Sequence, residues 1–341
     1  CEVARSDLCS PMIVRSMVSL HLICAAAAFL APAGRQPLLQ RRVLLLAAKK
    51  KGKGKEAFVP YEISGDSVPM FPLPERRDAI QAHKKFGDKG VSPSKLAPGA
   101  LDAYSPNLDL AFPGLRVLHL DPPVLTVDGF FSEAECDAYR ALEHATETGD
   151  AHMLAQSATF SGASDARTST TWFLQYQAVP KLLAAASALL GAPLEHFEEP
   201  QLVRYQAGQM FSWHYDALPP FHPGGQRAAT CLVYLNDVAE GGRTAFRDLR
   251  LGGTDAEGRP RRVEVAPKKG RALLFFPSFA DGTPDERTLH AGEPTPGEKW
   301  VAQLWLHHAP YTPTVPEGSS QAAAMDAARE YAAERGLRVT P

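Results

Sequence analysis

Apolar residues recur at every second position, or in short unbroken runs, through most of the chain after residue 200. A period of two is typical of β-strands with one buried face, and Gly, Pro and Asp between the runs mark turns. The pattern therefore predicts strands in five segments: "EPQLVRYQAG", "RAATCLVYLND", "RRVEVAP", "GRALLFFPS" and "KWVAQLWLHH".

Helical patterns precede and follow these strands. After a strand-like "PVLTVDGFF", Ser132 and Glu135 have the spacing of a capping box at the start of "SEAECDAYRALEHATE". A second amphipathic segment, "VPKLLAAASALLGA", ends at Gly191, and the tail is predicted to form a surface helix. Two helices followed by many short strands favour a mainly β fold with flanking helices, a β-sandwich or jelly roll.

The first 57 residues have the character of a targeting presequence. An apolar run, "MVSLHLICAAAAFLA", is followed by a basic stretch, and no acidic residue occurs between Pro11 and Lys55. The run is too short for a firm membrane span. This order resembles the bipartite plastid-targeting presequences of algae with secondary plastids, and a secretory signal leading to the endoplasmic reticulum is the alternative. We predict a presequence over residues 1–57, a Pro/Lys-rich linker over 58–115, a catalytic domain over 116–312 and a helical tail over 313–341.

Composition narrows the function classes. The chain has 341 residues, a net charge of −2 and 45% hydrophobic residues, which fits one globular domain with extensions. The near-neutral charge argues against nucleic-acid binding. Five cysteines without a CxxC motif argue against a disulfide framework or a zinc cluster.

A candidate metal site lies in "QMFSWHYD". His214 and Asp216 are two residues apart, so on a strand both side chains project from the same face. A distant third ligand would complete a two-histidine, one-carboxylate triad that leaves positions open on Fe(II). Chance alone gives roughly one His-x-acid pair in such a chain. Two further pairs, His119-Leu-Asp121 and His196-Phe-Glu198, are therefore expected to be decoys.

The segments around this pair carry a family resemblance. From "VLTVDGFFSEAECDAYRAL" through "ARTSTTWFL" and "QLVRYQAGQMFSWHYD" to "RTLHAGEPTPGEKWVAQLWL", residues 120 to 308 resemble the catalytic domain of the prolyl 4-hydroxylase family. The resemblance implies a double-stranded β-helix (jelly-roll) core that uses Fe(II), 2-oxoglutarate, O2 and ascorbate. It also implies a proline-containing peptide or protein as the substrate.

The resemblance also implies roles for individual residues. A buried carboxylate of 2-oxoglutarate needs a cation and hydroxyl donors, because its desolvation is otherwise too costly. Lys299 matches the residue that binds that carboxylate, and it shares a strand face with Trp305. His307, His308 and His222 are expected at the surface. The matched residues are His214, Asp216 and His290 as catalytic iron ligands, Tyr205, Tyr234, Thr244, Lys299 and Trp305 in the co-substrate pocket, and Arg167 and Trp172 at the substrate.

Two departures leave the substrate open. Arg243 stands where the family often has Glu, and the loop after Asp216 is short and rich in proline. The alternatives are the same chemistry on another residue or a small molecule, or a jelly-roll binding module without catalysis. Retention of three metal-binding residues and Lys299 argues against the binding module.

Overall fold

The computed structural model describes residues 89–147, 158–159, 167–218, 225–313 and 321–340. The predicted presequence and most of the predicted linker lie outside these ranges, and the domain boundaries stay predictions. Among the helices of the described ranges, none is both long and apolar enough to cross a bilayer.

Eight consecutive strands are shared between two antiparallel sheets that face each other. The larger sheet contains the run β10-β7-β12-β5, and the smaller sheet has the order β6-β11-β8-β9. This distribution is the predicted jelly-roll topology. The strands are β5 (Gln201–Tyr205), β6 (Phe211–His214), β7 (Arg227–Tyr234), β8 (Thr244–Thr254), β9 (Pro260–Val265), β10 (Ala272–Phe275), β11 (His290–Gly292) and β12 (Lys299–His307).

Four more strands extend the larger sheet at its two ends. β1 (Leu115–Leu120) and β2 (Pro123–Val127) continue it beyond β10, while β3 (Ala158–Thr159) and β4 (Thr170–Phe173) continue it beyond β5. The larger sheet thus has eight strands, and β4 lies directly beside β5.

Strand β12 separates two cores because its side chains alternate between the faces of the sheet. Val301 belongs to the core between the two sheets, together with Phe246 of the smaller sheet. Trp300 and Leu304 belong to a second core on the outer face. The predicted period of two is therefore confirmed for this strand.

Within the described ranges, three α-helices belong to the outer layer: α1 (Glu133–Glu147), α2 (Pro180–Leu190) and α3 (Gln321–Arg335). The capping box at α1 is confirmed, since the backbone N–H of Ser132 donates to Oε2 of Glu135 at 2.8 Å. Gly191 ends α2 in the left-handed conformation, at φ 59°.

The tail forms the predicted helix, but the expectation that it lies at the surface is wrong for one of its faces. Ala324, Ala328 and Ala332 are buried in the outer core, and α3 packs against α2. Tyr331 and Arg335 each donate to Glu135 of the α1 cap at 2.7 Å. The tail is therefore part of the folded domain.

The segment that precedes β1 also packs on the domain. Val91 pairs with Val117 of β1, and Leu101, Tyr104 and Leu108 are buried in the outer core. These residues fall within the predicted linker, so the described part of that stretch contributes to the core.

Candidate active site

Neighbouring strands of the smaller sheet bring the three predicted ligand residues together. His214 lies at the end of β6, Asp216 follows two residues later, and His290 begins β11 directly opposite His214 in the register of the smaller sheet. One candidate ligand atom from each residue lies within 4.8 Å of the other two. Asp216 and His290 are buried, whereas His214 is half-buried.

Backbone carbonyls orient both imidazoles. Nδ1 of His214 lies 2.7 Å from the carbonyl oxygen of Ser212, and Nδ1 of His290 lies 3.0 Å from that of Thr288. A proton on each Nδ1 satisfies these contacts and leaves the Nε2 lone pairs available. The Nε2 atoms lie 3.6 and 3.8 Å from the carboxylate oxygens of Asp216.

The Asp216 carboxylate is held by donors from two strands of the larger sheet. The Thr230 hydroxyl donates to Oδ2 at 2.7 Å, and Nε1 of Trp305 donates to the same oxygen at 3.0 Å. Oδ1 lies toward Nε2 of His214. The arrangement therefore leaves Oδ1 and two Nε2 atoms as a convergent donor set.

Electrostatics favour the ligand forms of these side chains. Burial and the neighbouring His290 hold the pKa of His214 well below its ordinary value, so its imidazole is neutral at neutral pH. Burial acts to raise the pKa of Asp216, but His290, His214, Arg227 and the Thr230 hydroxyl outweigh it. The pKa of Asp216 therefore lies below its ordinary value, and the group is ionised.

Lys299 lies beside the triad at the start of β12. It is buried, its Nζ donates to the carbonyl oxygen of Gly242 at 3.0 Å, and Nζ lies 4.4 Å from the ring centroid of Tyr205. Burial lowers the pKa of Lys299 to about 8, although Glu293 acts in the opposite direction. A buried cation without a direct carboxylate partner among the described residues is suited to an anionic ligand.

Gly292 leaves room in front of this lysine. A Cβ atom at Gly292 would lie 3.5 Å from Nζ of Lys299 and 3.7 Å from the hydroxyl oxygen of Tyr205. Because Gly292 is two residues after His290, the space lies next to the metal ligands. Burial raises the pKa of Tyr205, so the hydroxyl stays neutral and can donate a hydrogen bond.

Tyr234 and Thr244 meet in the same interior. The Tyr234 hydroxyl lies 2.8 Å from Oγ1 of Thr244 and donates toward the carbonyl oxygen of Val265 at 3.2 Å. Thr244 pairs with Gly292 across β8 and β11. All four predicted pocket residues other than Trp305 are therefore grouped around Gly292 or its strand partner.

Comparison with known proteins identifies the family. The sequence model of the 2OG-Fe(II) oxygenase superfamily matches residues 200–307. Prolyl 4-hydroxylase 13 of Arabidopsis thaliana is 35% identical over 276 residues, which cover 74% of this chain and 90% of that protein. The chain belongs to the prolyl 4-hydroxylase family.

Two further proteins are similar to parts of this chain. Prolyl 4-hydroxylase 1 of Arabidopsis thaliana is 34% identical over 209 residues, covering 56% of this chain and 71% of that protein. The solved viral collagen prolyl hydroxylase of Paramecium Bursaria Chlorella virus-1 is 27% identical, with a TM-score of 0.40, covering 53% of this chain and 94% of that one.

The site fits the iron and 2-oxoglutarate of a prolyl 4-hydroxylase. Two imidazoles and one carboxylate form the donor set that suits non-haem Fe(II) and leaves other coordination positions open. The positive charge of Lys299 suits a carboxylate of 2-oxoglutarate, and the missing side chain at Gly292 leaves space for it.

Arg167 lies at this site, and Trp172 does not. The Arg167 guanidinium lies 4.7 Å from the ring centroid of Phe211, which stacks on His214 at 3.5 Å. Trp172 is buried on the outer face of β4 and stacks on Trp300. The structure therefore does not bring Trp172 to the triad, because its ring faces the helical layer, and its substrate-binding role stays a prediction.

The remaining histidines differ in burial in a way that the sequence did not predict. His307 is buried, so its expected surface position is wrong, and its Nε2 lies 2.5 Å from Oε1 of Glu198. His308 is half-buried beside Ser278. His119 is buried with Nδ1 2.7 Å from the carbonyl oxygen of Pro122. His222 lies outside the described residues.

Arg243, the departure from the family pattern, lies away from the pocket. Its side chain pairs with Glu264 on the exposed side of the smaller sheet, at 3.4 Å. Sequence reasoning missed Thr230 and Arg227, which contact Asp216 from the larger sheet. No motif spacing points to them, because both act through contacts across strands.

Proposed function

We propose that this dioxygenase hydroxylates peptidyl proline. In the proposed reaction, 2-oxoglutarate, O2 and a proline C–H yield succinate, CO2 and a C–OH group. One oxygen atom of O2 enters succinate and the other enters the hydroxyl group, while CO2 is the carboxylate released from 2-oxoglutarate. The observation that carries the proposal is the convergence of His214, Asp216 and His290 next to the buried, ligand-ready Lys299.

The residues of this chain would divide the work as follows. His214, Asp216 and His290 would hold Fe(II), which activates O2 when 2-oxoglutarate is bound. Lys299 would pair with the distal carboxylate of 2-oxoglutarate, and Tyr205 would donate a hydrogen bond to it. Burial of these groups excludes water from the reacting centre and strengthens each electrostatic contact.

A peptide substrate is supported by the relatives and by the entrance of the site. The named Arabidopsis relatives are prolyl 4-hydroxylases. Arg167 lies over Phe211 beside His214, and its guanidinium donates to Ser169 and Thr171 at 3.0 and 2.8 Å. A guanidinium held over the ring that stacks on His214 lies close enough to the triad to meet a bound peptide. We propose Arg167 as a substrate contact on this basis.

Two further parts of the proposal rest on the sequence. Ascorbate would keep the iron reduced between turnovers, as the family resemblance implies. The acid-free basic stretch after the apolar run supports delivery to a plastid, with the endoplasmic reticulum as the alternative. A fluorescent reporter fused to residues 12 to 60 separates the two destinations.

The decisive experiment is a hydroxylation assay on a peptide library, read by mass spectrometry, with Fe(II), 2-oxoglutarate and ascorbate. We expect a mass increase of one oxygen on proline in a subset of peptides, together with succinate. His290→Ala should abolish both products, while His308→Ala should retain them. Succinate without any hydroxylated proline would show that the substrate is not a peptidyl proline of this library and would favour another substrate. The absence of succinate would refute the proposed dioxygenase reaction.

A further inference from the structure

A cluster of three charged or titratable side chains, Glu198, Arg227 and His307, lies next to the metal ligand residue Asp216. The Arg227 guanidinium donates two parallel hydrogen bonds to Glu198, at 2.6 and 2.8 Å. His307, which pairs with Arg227 across β7 and β12, lies 2.5 Å from the same carboxylate. Glu198 and His307 are buried, and Arg227 is half-buried.

The cluster reaches Asp216 by two routes. One guanidinium nitrogen of Arg227 lies 3.3 Å from the backbone carbonyl oxygen of Asp216. The guanidinium carbon also lies 3.8 Å from the ring centroid of Trp305, whose Nε1 donates to Oδ2 of Asp216. In addition, the backbone N–H of Glu198 donates to the carbonyl oxygen of Trp305 at 3.0 Å. The ion pair therefore holds both the backbone of the ligand residue and the indole that orients its carboxylate.

We propose that the Glu198–Arg227 pair is a positioning device for the metal ligand Asp216, which it acts on through Trp305. The bidentate geometry fixes the plane of the guanidinium, and the indole is held against that plane. The indole N–H then donates a hydrogen bond to Oδ2, so that Oδ1 is left to face the metal. Outer contacts of this kind set ligand orientation and metal affinity. The inference rests on the proposed function, because it presupposes that Asp216 binds a metal.

Arg227 also closes the base of the loop after Asp216. The backbone N–H of Leu218 donates to the side chain of Gln226 at 2.7 Å, and that side chain donates back to the carbonyl oxygen of Leu218. Arg227 follows directly and contacts the carbonyl oxygen of Asp216. The ligand residue is thus held at the point where the chain leaves the smaller sheet and enters the larger one.

A purely structural role would look different, and the chain offers a matched control. Arg204 of β5 pairs with Glu143, and its guanidinium carbon lies 5.3 Å from the ring centroid of Trp300, also on β12. This pair combines the same residue types and the same stacking on the outer face of the sheet, away from the triad. Arg204→Lys should therefore affect folding stability without affecting the metal.

The test is Co(II) binding to metal-free protein, measured by calorimetry and by the visible absorption spectrum of the bound ion. Arg227→Lys and the near-isosteric Glu198→Gln should each lower Co(II) affinity about 10- to 100-fold and change the spectrum. Arg204→Lys should leave both at the wild-type values. Circular dichroism and thermal unfolding confirm that each variant is folded, and Glu198→Gln decides the question if Arg227→Lys does not fold.

A double-variant cycle tests the route through the indole. Trp305→Phe keeps an aromatic ring but removes the N–H donor to Asp216. If Arg227 acts through this donor, the loss of affinity in the double variant of Arg227→Lys and Trp305→Phe should be smaller than the product of the single losses. Losses that multiply, unchanged affinity in Arg227→Lys and Glu198→Gln, or an equal loss in Arg204→Lys would each overturn the inference. Wild-type protein that binds no Co(II) would instead refute the proposed function.

Discussion

Thr230 and Trp305 lie opposite each other on β7 and β12, and both donate a hydrogen bond to Oδ2 of Asp216. Two donors on one carboxylate oxygen leave the other oxygen to a metal ion. The larger sheet contributes no metal ligand itself. Its side chains nevertheless determine which oxygen of Asp216 faces the metal site.

Replacing Thr230 with valine tests this arrangement. Thr230→Val keeps the shape of the side chain and removes one donor from a buried carboxylate, so we expect metal affinity to fall about 10-fold. We also expect a loss of about 1–3 kcal/mol in unfolding free energy. Co(II) titration and chemical denaturation measure the two effects. Thr126→Val, at another buried threonine of the same sheet, serves as the control, and an equal fall in affinity there would contradict the prediction.

The space in front of Lys299 gives a second prediction. Gly292→Ala would place a methyl group 3.5 Å from Nζ of Lys299 and 3.7 Å from the Tyr205 hydroxyl oxygen, at ordinary contact distance. The fold should tolerate this methyl group, but the methyl group should occupy space that 2-oxoglutarate needs. We expect a KM for 2-oxoglutarate raised by at least about 10-fold, since a lost charge-assisted contact costs about 1.5–3 kcal/mol. Gly297→Ala, whose Cβ would meet only Thr295 Oγ1 at 3.9 Å, should leave the KM unchanged.

Lys299 should make 2-oxoglutarate binding dependent on pH. Its pKa of about 8 in the free protein lies below the ordinary 10.5, and a bound carboxylate would raise it again. Binding should therefore take up a proton near pH 8 to 9, and affinity should fall as the pH rises through about 8. Calorimetry in buffers of different ionisation enthalpy measures the proton uptake. Uptake that is equally large at pH 6, where Lys299 is already protonated, would show that another group is responsible.

The same lysine should weaken the free protein. Because the pKa is lower in the folded than in the unfolded state, the charged form is penalised by on the order of 3 kcal/mol. The penalty is complete below pH 8 and disappears as the pH rises from about 8 to 10.5. Lys299→Met should therefore raise the unfolding free energy at pH 7 while it abolishes tight 2-oxoglutarate binding. Reduced stability of Lys299→Met at pH 7 would contradict this account.

Arg167 and Trp172 should respond differently to substitution. Arg167→Lys removes the planar donor set beside His214, so we expect a peptide KM raised about 10-fold with unchanged succinate formation in the absence of peptide. Trp172→Phe should lower stability by about 1 kcal/mol or more through lost packing on Trp300 and leave the peptide KM unchanged. Steady-state kinetics with one substrate peptide, together with thermal unfolding, distinguish the effects of the two substitutions. A raised peptide KM in Trp172→Phe would support the predicted substrate-binding role of that residue.

The sequence was informative wherever a local period determines a side chain's direction. The alternation of β12 places Lys299 and Trp305 on the inner face, as predicted. The same rule accounts for the position of Trp172. Arg167 and Trp172 are an odd number of positions apart, and an extended segment presents such residues on opposite faces. Both therefore could not face the metal ligands.

The contacts that the sequence did not reveal join distant segments. Glu198 bonds to His307, which is 109 positions away, and to Arg227, 29 positions away. No periodicity encodes such a meeting, because it depends on how the strands are ordered in the sheet. For this reason the pair His196-Phe-Glu198 looked like an accidental motif, although its acid lies behind the site. The buried face of α3 was more accessible to prediction, since Ala324, Ala328 and Ala332 recur every four residues.

The alternation of β12 also makes this strand unusually intolerant of changes in length. Insertion or deletion of one residue between Lys299 and Trp305 would exchange the two faces of everything beyond it, turning Trp305 toward the helices and an aliphatic residue toward Asp216. Removal of two residues would keep the faces but draw the lysine and the indole about 7 Å closer along the strand. The spacing of six positions therefore sets the distance between the lysine and the indole in the site. In relatives that retain the chemistry, substitutions on β12 should be more frequent than insertions or deletions.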